Sequence, residues 1–284
     1  MKTGLVLEGG GMRGIYVAGV LDVFMEHALC FDGVIGNSAG AIHGCSYMSG
    51  QKGRSLRYYL KYCRDPRFMS VRSLLTTGNL VGVDFCYHEL PEKLDIYDNA
   101  AFMKNPVPFH VVCTNVETGQ AEYPRITDMN AQIDWLRASA SMPYVSQIVE
   151  VGGKKYLDGG CTDGIPLQAF RQMGYARNVV VLTQPLEYRK KPENTALVKL
   201  CYRRYPAMVQ ALMKHHENYN RTTAAIREIE KTGEIFVIRP QASLAIGRME
   251  HDPANIQRVY NIGRADAERC MEELKSWLKT GEEG

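Results

Sequence analysis

A chain of 284 residues, 45% hydrophobic and 23% charged, carries enough apolar side chains for one large core, or one core and a small appendage. Its 34 basic and 31 acidic residues leave a net charge of +3, too little to argue for a nucleic-acid partner. The eight cysteines are scattered without a C-x-x-C pair, no apolar run approaches the roughly twenty residues of a membrane span, and no basic and apolar leader precedes the first strand; the expectation is a soluble cytoplasmic protein with free thiols, no metal centre and no cofactor.

In chain order, Leu5 to Glu8 reads as a short buried strand. From Ile15 to Leu29, Val17, Val20, Leu21, Phe24, Met25 and Leu29 recur at helical spacing. Phe31 to Ile35 is a second strand. Ala39 to Met48 begins a second helix, whose small residues Ala39, Gly40, Ala41 and Gly44 permit close packing. Strand, glycine turn and helix, given twice, is the pattern of parallel strands covered by helices, so the fold class is α/β with a mainly parallel sheet. Ser55 to Cys63 is expected to be helical. Asp65 to Val83 has no single period and reads either as a mobile cover over a site or as irregular packing against the domain.

Val107 to Thr114 is a strand with Gln120 to Ile126 placed to pair beside it. Ala131 to Ala140 is a helix that stops before Pro143. Ile148 to Val151 and Lys155 to Leu157 form a hairpin that ends at Asp158. Pro166 to Met173 suits a short helix, and Asn178 to Leu182 is a strongly apolar strand. After Pro185 comes a basic, proline-marked connector, then helices over about 194–203 and 206–231 and a strand over Glu234 to Ile238. Asp252 and Pro253 start a last helix whose apolar face runs from Ile256 to Leu278. The expected division is 1–185 and a mostly helical extension over 186–284; whether the extension docks on the same sheet or forms a small lobe stays open.

Two glycine turns and one acid carry the chemistry. Gly36-Asn37-Ser38-Ala39-Gly40 is a G-x-S-x-G sequence between a strand and a helix, the setting in which a sharp turn exposes a serine hydroxyl as a nucleophile. Taken alone, Ser38 reads equally as a helix N-cap. Gly9-Gly10-Gly11-Met12-Arg13-Gly14 offers N–H groups to an oxyanion, but it is also a G-x-G-x-x-G dinucleotide fingerprint, with Asp32 near the place of a ribose-binding acid. Asp158-Gly159-Gly160 ends a strand and can bring a carboxylate to a sheet-end site, although such turns commonly carry no chemistry. His27 falls late in the first helix, His43 on the second, and His88 and His110 in or near the middle strands. Only His215, His216 and His251 follow the acid, and none sits on a glycine-rich strand end. A pair of Ser38 and Asp158 without histidine is therefore preferred to a triad.

With these residues in place the chain resembles the patatin-like phospholipase family of lipid acyl hydrolases. Gly9 to Gly14 is similar to the family's G-G-G-x-R-G run, Gly36 to Gly40 to its nucleophile elbow, Ala138-Ser139-Ala140-Ser141-Met142-Pro143 to a helix-to-proline block, and Asp158-Gly159-Gly160 to its D-G-[GA] turn. The resemblance covers about residues 4–185. It implies a three-layer α/β/α catalytic domain over 1–185, followed by a C-terminal helical extension like that of bacterial members. It departs after Pro143, where Tyr144-Val145-Ser146-Gln147 replaces an aromatic residue and prolines, at a wall that can shape the acyl pocket.

The resemblance implies that Ser38 is the nucleophile and Asp158 its base. Gly9, Gly10 and Gly11 would form the oxyanion hole, with Gly36, Gly40 and Gly159 supporting the turns. Arg13 would brace the glycine loop or attract an anionic head group, with bracing preferred. The expected activity is cleavage of lipid carboxylic esters through an acyl-enzyme, with no cofactor. Any membrane contact would be peripheral and transient, through 67–83 or the C-terminal helices. The alternatives are a nucleotide-binding protein using Gly9–Gly14 and a non-catalytic lipid-binding module.

Overall fold

The computed structural model describes residues 1–280. Its first half alternates strand and helix: β1 (Thr3–Leu7), a 3-10 turn over 11–14, α1 (Ile15–Glu26), β2 (Gly33–Asn37) and α2 (Ala39–Met48). Then come α3 (Arg54–Tyr62), α4 (Val71–Thr77), a π-helical turn over 85–94 and α5 (Asn99–Lys104). The middle of the chain forms β3 (Phe109–Asn115), β4 (Gln120–Glu122), β5 (Arg125–Ile126), α6 (Ile133–Ser139), β6 (Val149–Val151) and β7 (Lys154–Asp158). The last part holds α7 (Leu167–Gln172), β8 (Arg177–Val181), α8 (Thr195–Cys201), α9 (Pro206–Lys231), β9 (Ile235–Ile238), α10 (Pro253–Arg269) and α11 (Met271–Thr280).

One sheet runs β6-β7-β3-β2-β1-β8-β9, with β4 and β5 also paired to β3. The five strands from β3 to β9 are parallel, and β4 to β7 are antiparallel to their neighbours. Alternation sorts the strands' side chains into two cores. Leu5, Leu7, Val34, Val179 and Val181 pack with α1, α2 and α10, while Val6, Ile35, Val112 and Val180 pack with Phe170 of α7 and Tyr219 and Ile226 of α9. The architecture is α/β/α, and the central strands are continuous apolar runs because both faces are covered.

Helix α1 is buried from Ile15 through Phe24, so its sequence shows little polar face. Its outer side is covered by α10, and the two helices meet at backbone distance. A Cβ on Gly19 would lie 2.2 Å from the Tyr260 carbonyl oxygen, and one on Gly263 2.1 Å from that of Tyr16. The C-terminal part thus builds into the main core, with β9 extending the parallel sheet beside β8.

Three local expectations change. Residues 65–83 contain a short helix, α4, capped by the Ser70 side chain, and Met69 bridges Val81 across its base. Residues 85–94, unassigned from sequence, form the π-helical turn around Pro91, and His88 lies there and not near a strand. The last helix breaks at Cys270 into α10 and α11. Four cysteines are buried, Cys45, Cys63, Cys113 and Cys161, and all eight are free thiols. No helix among the described residues is long and apolar enough to cross a membrane.

Candidate active site

Strand register brings the sequence-selected residues to one edge of the sheet. Leu7 pairs with Gly36, Asn37 with Val112, and Cys113 with Asp158. The glycine turn after β1, Ser38 after β2 and Asp158 at the end of β7 therefore emerge at nearly the same level.

Ser38 sits at φ 53° and ψ −123°, a left-handed backbone that a non-glycine residue adopts only under constraint. The constraint is the abrupt change from β2 to α2, whose first turn hydrogen-bonds the Ser38 carbonyl through Ala41 and Ile42 N–H. The Ser38 N–H donates to Ser139 Oγ at 3.0 Å. The flanking glycines are dictated by contact: a Cβ on Gly40 would lie 2.5 Å from the Leu7 carbonyl oxygen, and one on Gly36 2.7 Å from Ala41 Cα. The Ser38 side chain makes no cap bond, so its hydroxyl is not occupied in the way an N-cap would be.

Asp158 is 6% exposed. Its N–H donates to the Ser141 carbonyl at 2.8 Å, and its Oδ1 accepts from Gly160 N–H at 2.7 Å. Gly159 is forced by the strand beside it, where a Cβ would lie 2.3 Å from the Val112 carbonyl oxygen. Burial pushes the carboxyl up to about 6, against the opposing pull of hydrogen bonds from the Ser38 hydroxyl and Gly160 N–H and of the Lys190 charge. The Ala138–Pro143 block ties the two sides together, with Ser139 holding the serine turn and Ser141 the acid strand.

In the other glycine turn, Gly11 is at φ 56° with open space where a Cβ would stand. A Cβ on Gly9 would lie 2.8 Å from Ser38 Cβ, so the turn passes directly beside the serine. Among the described residues, the N–H groups of Gly9, Gly10 and Gly11 donate to no backbone carbonyl. Arg13 lies over Gly10, but its guanidinium makes no hydrogen bond to the loop, and its Nε is buried without an acceptor. Asp32 is at the opposite end of β2, where its carboxylate accepts from Thr3 N–H at 2.7 Å. It does not face the glycine turn, so the dinucleotide arrangement lacks its ribose-binding acid.

Gly11, Ser38 and Met142 stand on the border between two cavities. One, of about 250 Å³, is apolar and runs between α3, the residues flanking α4 and the π-helical turn, past Ile42, Tyr59, Phe68, Val81, Leu90 and Leu136. The other is an open polar cleft of about 500 Å³ that contains Asp158 and the glycine turn. Its far side is built by the connector before α8 and by α9.

Each of the seven histidines has a partner away from Ser38. His43 bonds Ser55, His110 the Tyr123 carbonyl, His215 Lys190 and Glu193, and His251 the Cys63 carbonyl. His27 faces Glu268, His88 Glu92 and His216 Glu217. Sequence reasoning missed Lys190, Glu193 and Tyr219 as parts of this region; it named Ser139 and Tyr144 without their contacts and set His215 aside. Ser139 had a signal in the Ala138–Pro143 block; the others meet only through tertiary contact.

A family model described as patatin-like phospholipase matches residues 5–171, and a domain of unknown function, DUF6363, matches residues 205–279. The uncharacterised protein YjjU of Escherichia coli is 28% identical over 274 residues, covering 93% of this chain and 75% of that protein. Lysophospholipase NTE1 of Debaryomyces hansenii is 22% identical over 296 residues, covering 99% of this chain but only 18% of its own length. The crystal structure of VipD from Legionella pneumophila aligns with a TM-score of 0.48 at 14% identity, covering 96% of this chain and 67% of that one.

Proposed function

The chain belongs to the patatin-like phospholipase family, and from that premise we propose that it is a serine acyl hydrolase that cleaves lipid carboxylic esters through an acyl-enzyme on Ser38. The family and the lysophospholipase relative support lipid hydrolysis. The observation that carries the finer reading is the strained, uncapped Ser38 beside buried Asp158, on the border of an apolar cavity and a polar cleft.

The ester carbonyl sits over Ser38 with its acyl chain in the apolar cavity and its alcohol portion in the cleft. Asp158 accepts the hydroxyl proton as Oγ attacks. With its carboxyl raised to about 6, it is ionised at neutral pH yet more basic than an ordinary aspartate. The N–H groups of Gly10 and Gly11 receive the oxyanion, with Gly9 holding the turn against Ser38; one such donor lowers the barrier by about 3 kcal/mol. The N-terminus of α2 adds its partial positive charge. Collapse returns the proton to the departing alcohol, and Asp158 then activates the water that releases the acid.

Residues 1–185 supply the reacting groups, and side chains of the later part, among them Lys190, His215 and Tyr219, complete the cleft. Membrane contact is peripheral, through α4, where Leu75 is 81% exposed and Val71 52% beside the segments that line the apolar cavity. The test is turnover of p-nitrophenyl esters from four to sixteen carbons by the wild type, Ser38→Ala and Asp158→Ala. Loss of at least a thousandfold in both folded variants supports the reading. Full activity in either overturns the assignment, and liposome binding without turnover in wild type and Ser38→Ala alike would make the chain a non-catalytic lipid-binding module.

A further inference from the structure

The polar cleft holds charge that the hydrolytic reading leaves unused. Arg13, Arg189, Lys190, Lys191 and Arg248 line it. Among the described residues, none of these five has a carboxylate within 4.0 Å. The cleft's three carboxyl groups are committed elsewhere. Glu8 accepts from Tyr219 OH at 2.7 Å and from Thr183 N–H. Asp158 is held by Ser38 and Gly160, and Glu193 by Tyr144 OH and His215.

Lys190 is the best defined of the five. Its Nζ is 2.9 Å from His215 Nε2 and 4.4 Å from the centroid of the Tyr219 ring. Glu193 lies 3.4 Å from His215 Nδ1, so Nδ1 carries the hydrogen and Nε2 accepts from the ammonium. An ammonium has three donors, and no oxygen among the described residues takes the other two. Arg13 faces the same space: its charge and that of Lys190 repel each other and both bear on Glu8. Its buried Nε lacks an acceptor, and a buried donor left unpaired is destabilising until something accepts from it. The five cations repel an ammonium head group, and Lys190 already covers the Tyr219 ring.

We propose that Arg13, Lys190 and Arg248 form a phosphate-binding site in the cleft, and that the substrate of Ser38 is an acylated glycerol phosphate whose head group carries no ammonium. The second half rests on the hydrolytic reading; the first does not. Lys190 lies between the two family-matched segments and brings the connector to the active site, so head-group choice is set by the C-terminal part of the chain. Lysine and arginine suit a phosphate, the first as a point charge and the second through its planar donors.

The test is calorimetric titration of the 284-residue chain carrying Ser38→Ala, chosen so that binding is read without turnover. The probes are 1-octanoylglycerol 3-phosphate, its phosphocholine counterpart, 1-octanoylglycerol and inorganic phosphate. The octanoyl phosphate is expected to bind at least tenfold tighter than octanoylglycerol and the phosphocholine lipid, and tighter than inorganic phosphate. Adding Lys190→Met should remove about tenfold of that preference, Lys190→Arg should keep most of it, and Arg248→Gln at the exposed rim should weaken it two- to threefold. Circular dichroism verifies the fold of each variant. Equal affinity for the phosphate and neutral lipids, or a preference unchanged by Lys190→Met, overturns the site. Phosphocholine binding as tight as the phosphate overturns the head-group assignment, and inorganic phosphate binding as tight as the lipid overturns the lipid as its source. Absence of ester hydrolysis by the wild type would sink the hydrolytic reading and leave this titration intact.

Discussion

Replacing Asp158 by asparagine should remove catalysis and stabilise the fold. Burial raises the folded-state carboxyl from 3.8 to about 6. At roughly 1.4 kcal/mol per pH unit, ionising it inside the protein costs about 3 kcal/mol. Because the folded value is raised, the contribution of Asp158 to stability is present in full below about pH 4 and is lost as pH rises through 6. At pH 8 the wild type bears the whole penalty, at pH 5 roughly half of it. An amide does not ionise, and its oxygen still accepts the Gly160 N–H bond now made at 2.7 Å. That penalty is already net of the attraction to Lys190; the weaker hydrogen bonds of a neutral amide reduce the gain, leaving about 1–3 kcal/mol at pH 8. A chain of this length unfolds with an entropy of about 0.6 kcal/mol/K, so Tm should rise by about 2–5 °C. Scanning calorimetry at pH 8 and pH 5 measures both values. Melting of Asp158→Asn at or below the wild type at pH 8, or a gain as large at pH 5, would refute the reasoning.

The same carboxyl should set the pH dependence of turnover. For a neutral ester, kcat/KM should fall tenfold per unit below about pH 6 and be flat up to pH 8, since only ionised Asp158 accepts a proton; a flat profile from pH 5 to 8 would remove it as the base. Gly40→Ala places a methyl 2.5 Å from the Leu7 carbonyl oxygen. Urea unfolding should show a loss of about 2–4 kcal/mol, and a loss under 1 kcal/mol would mean the elbow can relax. Ile42, one turn beyond Ser38, lines the apolar cavity. Ile42→Phe should lower kcat/KM for sixteen-carbon esters about tenfold while changing four-carbon esters less than twofold, and equal effects at both lengths would place the acyl chain elsewhere.

Both glycine turns of the candidate site were legible because each follows a short apolar strand and opens a helix. Gly36 is required by a contact within its own turn, with Ala41, whereas Gly40 meets Leu7 of β1 and Gly159 meets Val112 of β3; the glycines mark themselves in sequence although two of their contacts are not local. The alternation of β1, α1, β2 and α2 then places both glycine turns at the same sheet edge. The approach of Asp158 to Ser38 depends on β3 pairing with β7, a non-local register that the hairpin at 149–158 only hinted at. The π-helical turn around Pro91 escaped because its apolar residues follow neither helical nor strand period. Lys190 looked like part of a solvated basic connector, and His215 and Tyr219 like faces of a long helix. Their convergence on Glu8 and Glu193 spans up to 211 residues, which no spacing rule detects. The break at Cys270 is equally silent, since the apolar positions continue through it from Ala267 to Met271 and Leu274.

The central claim is that Ser38 is an activated nucleophile, and reaction of the purified protein with a fluorophosphonate probe tests it most directly. Intact mass should show one adduct per chain, peptide mapping should place it on Ser38, and Ser38→Ala should stay unmodified. A folded wild type that takes up no probe, or takes it up on another residue, would contradict the claim.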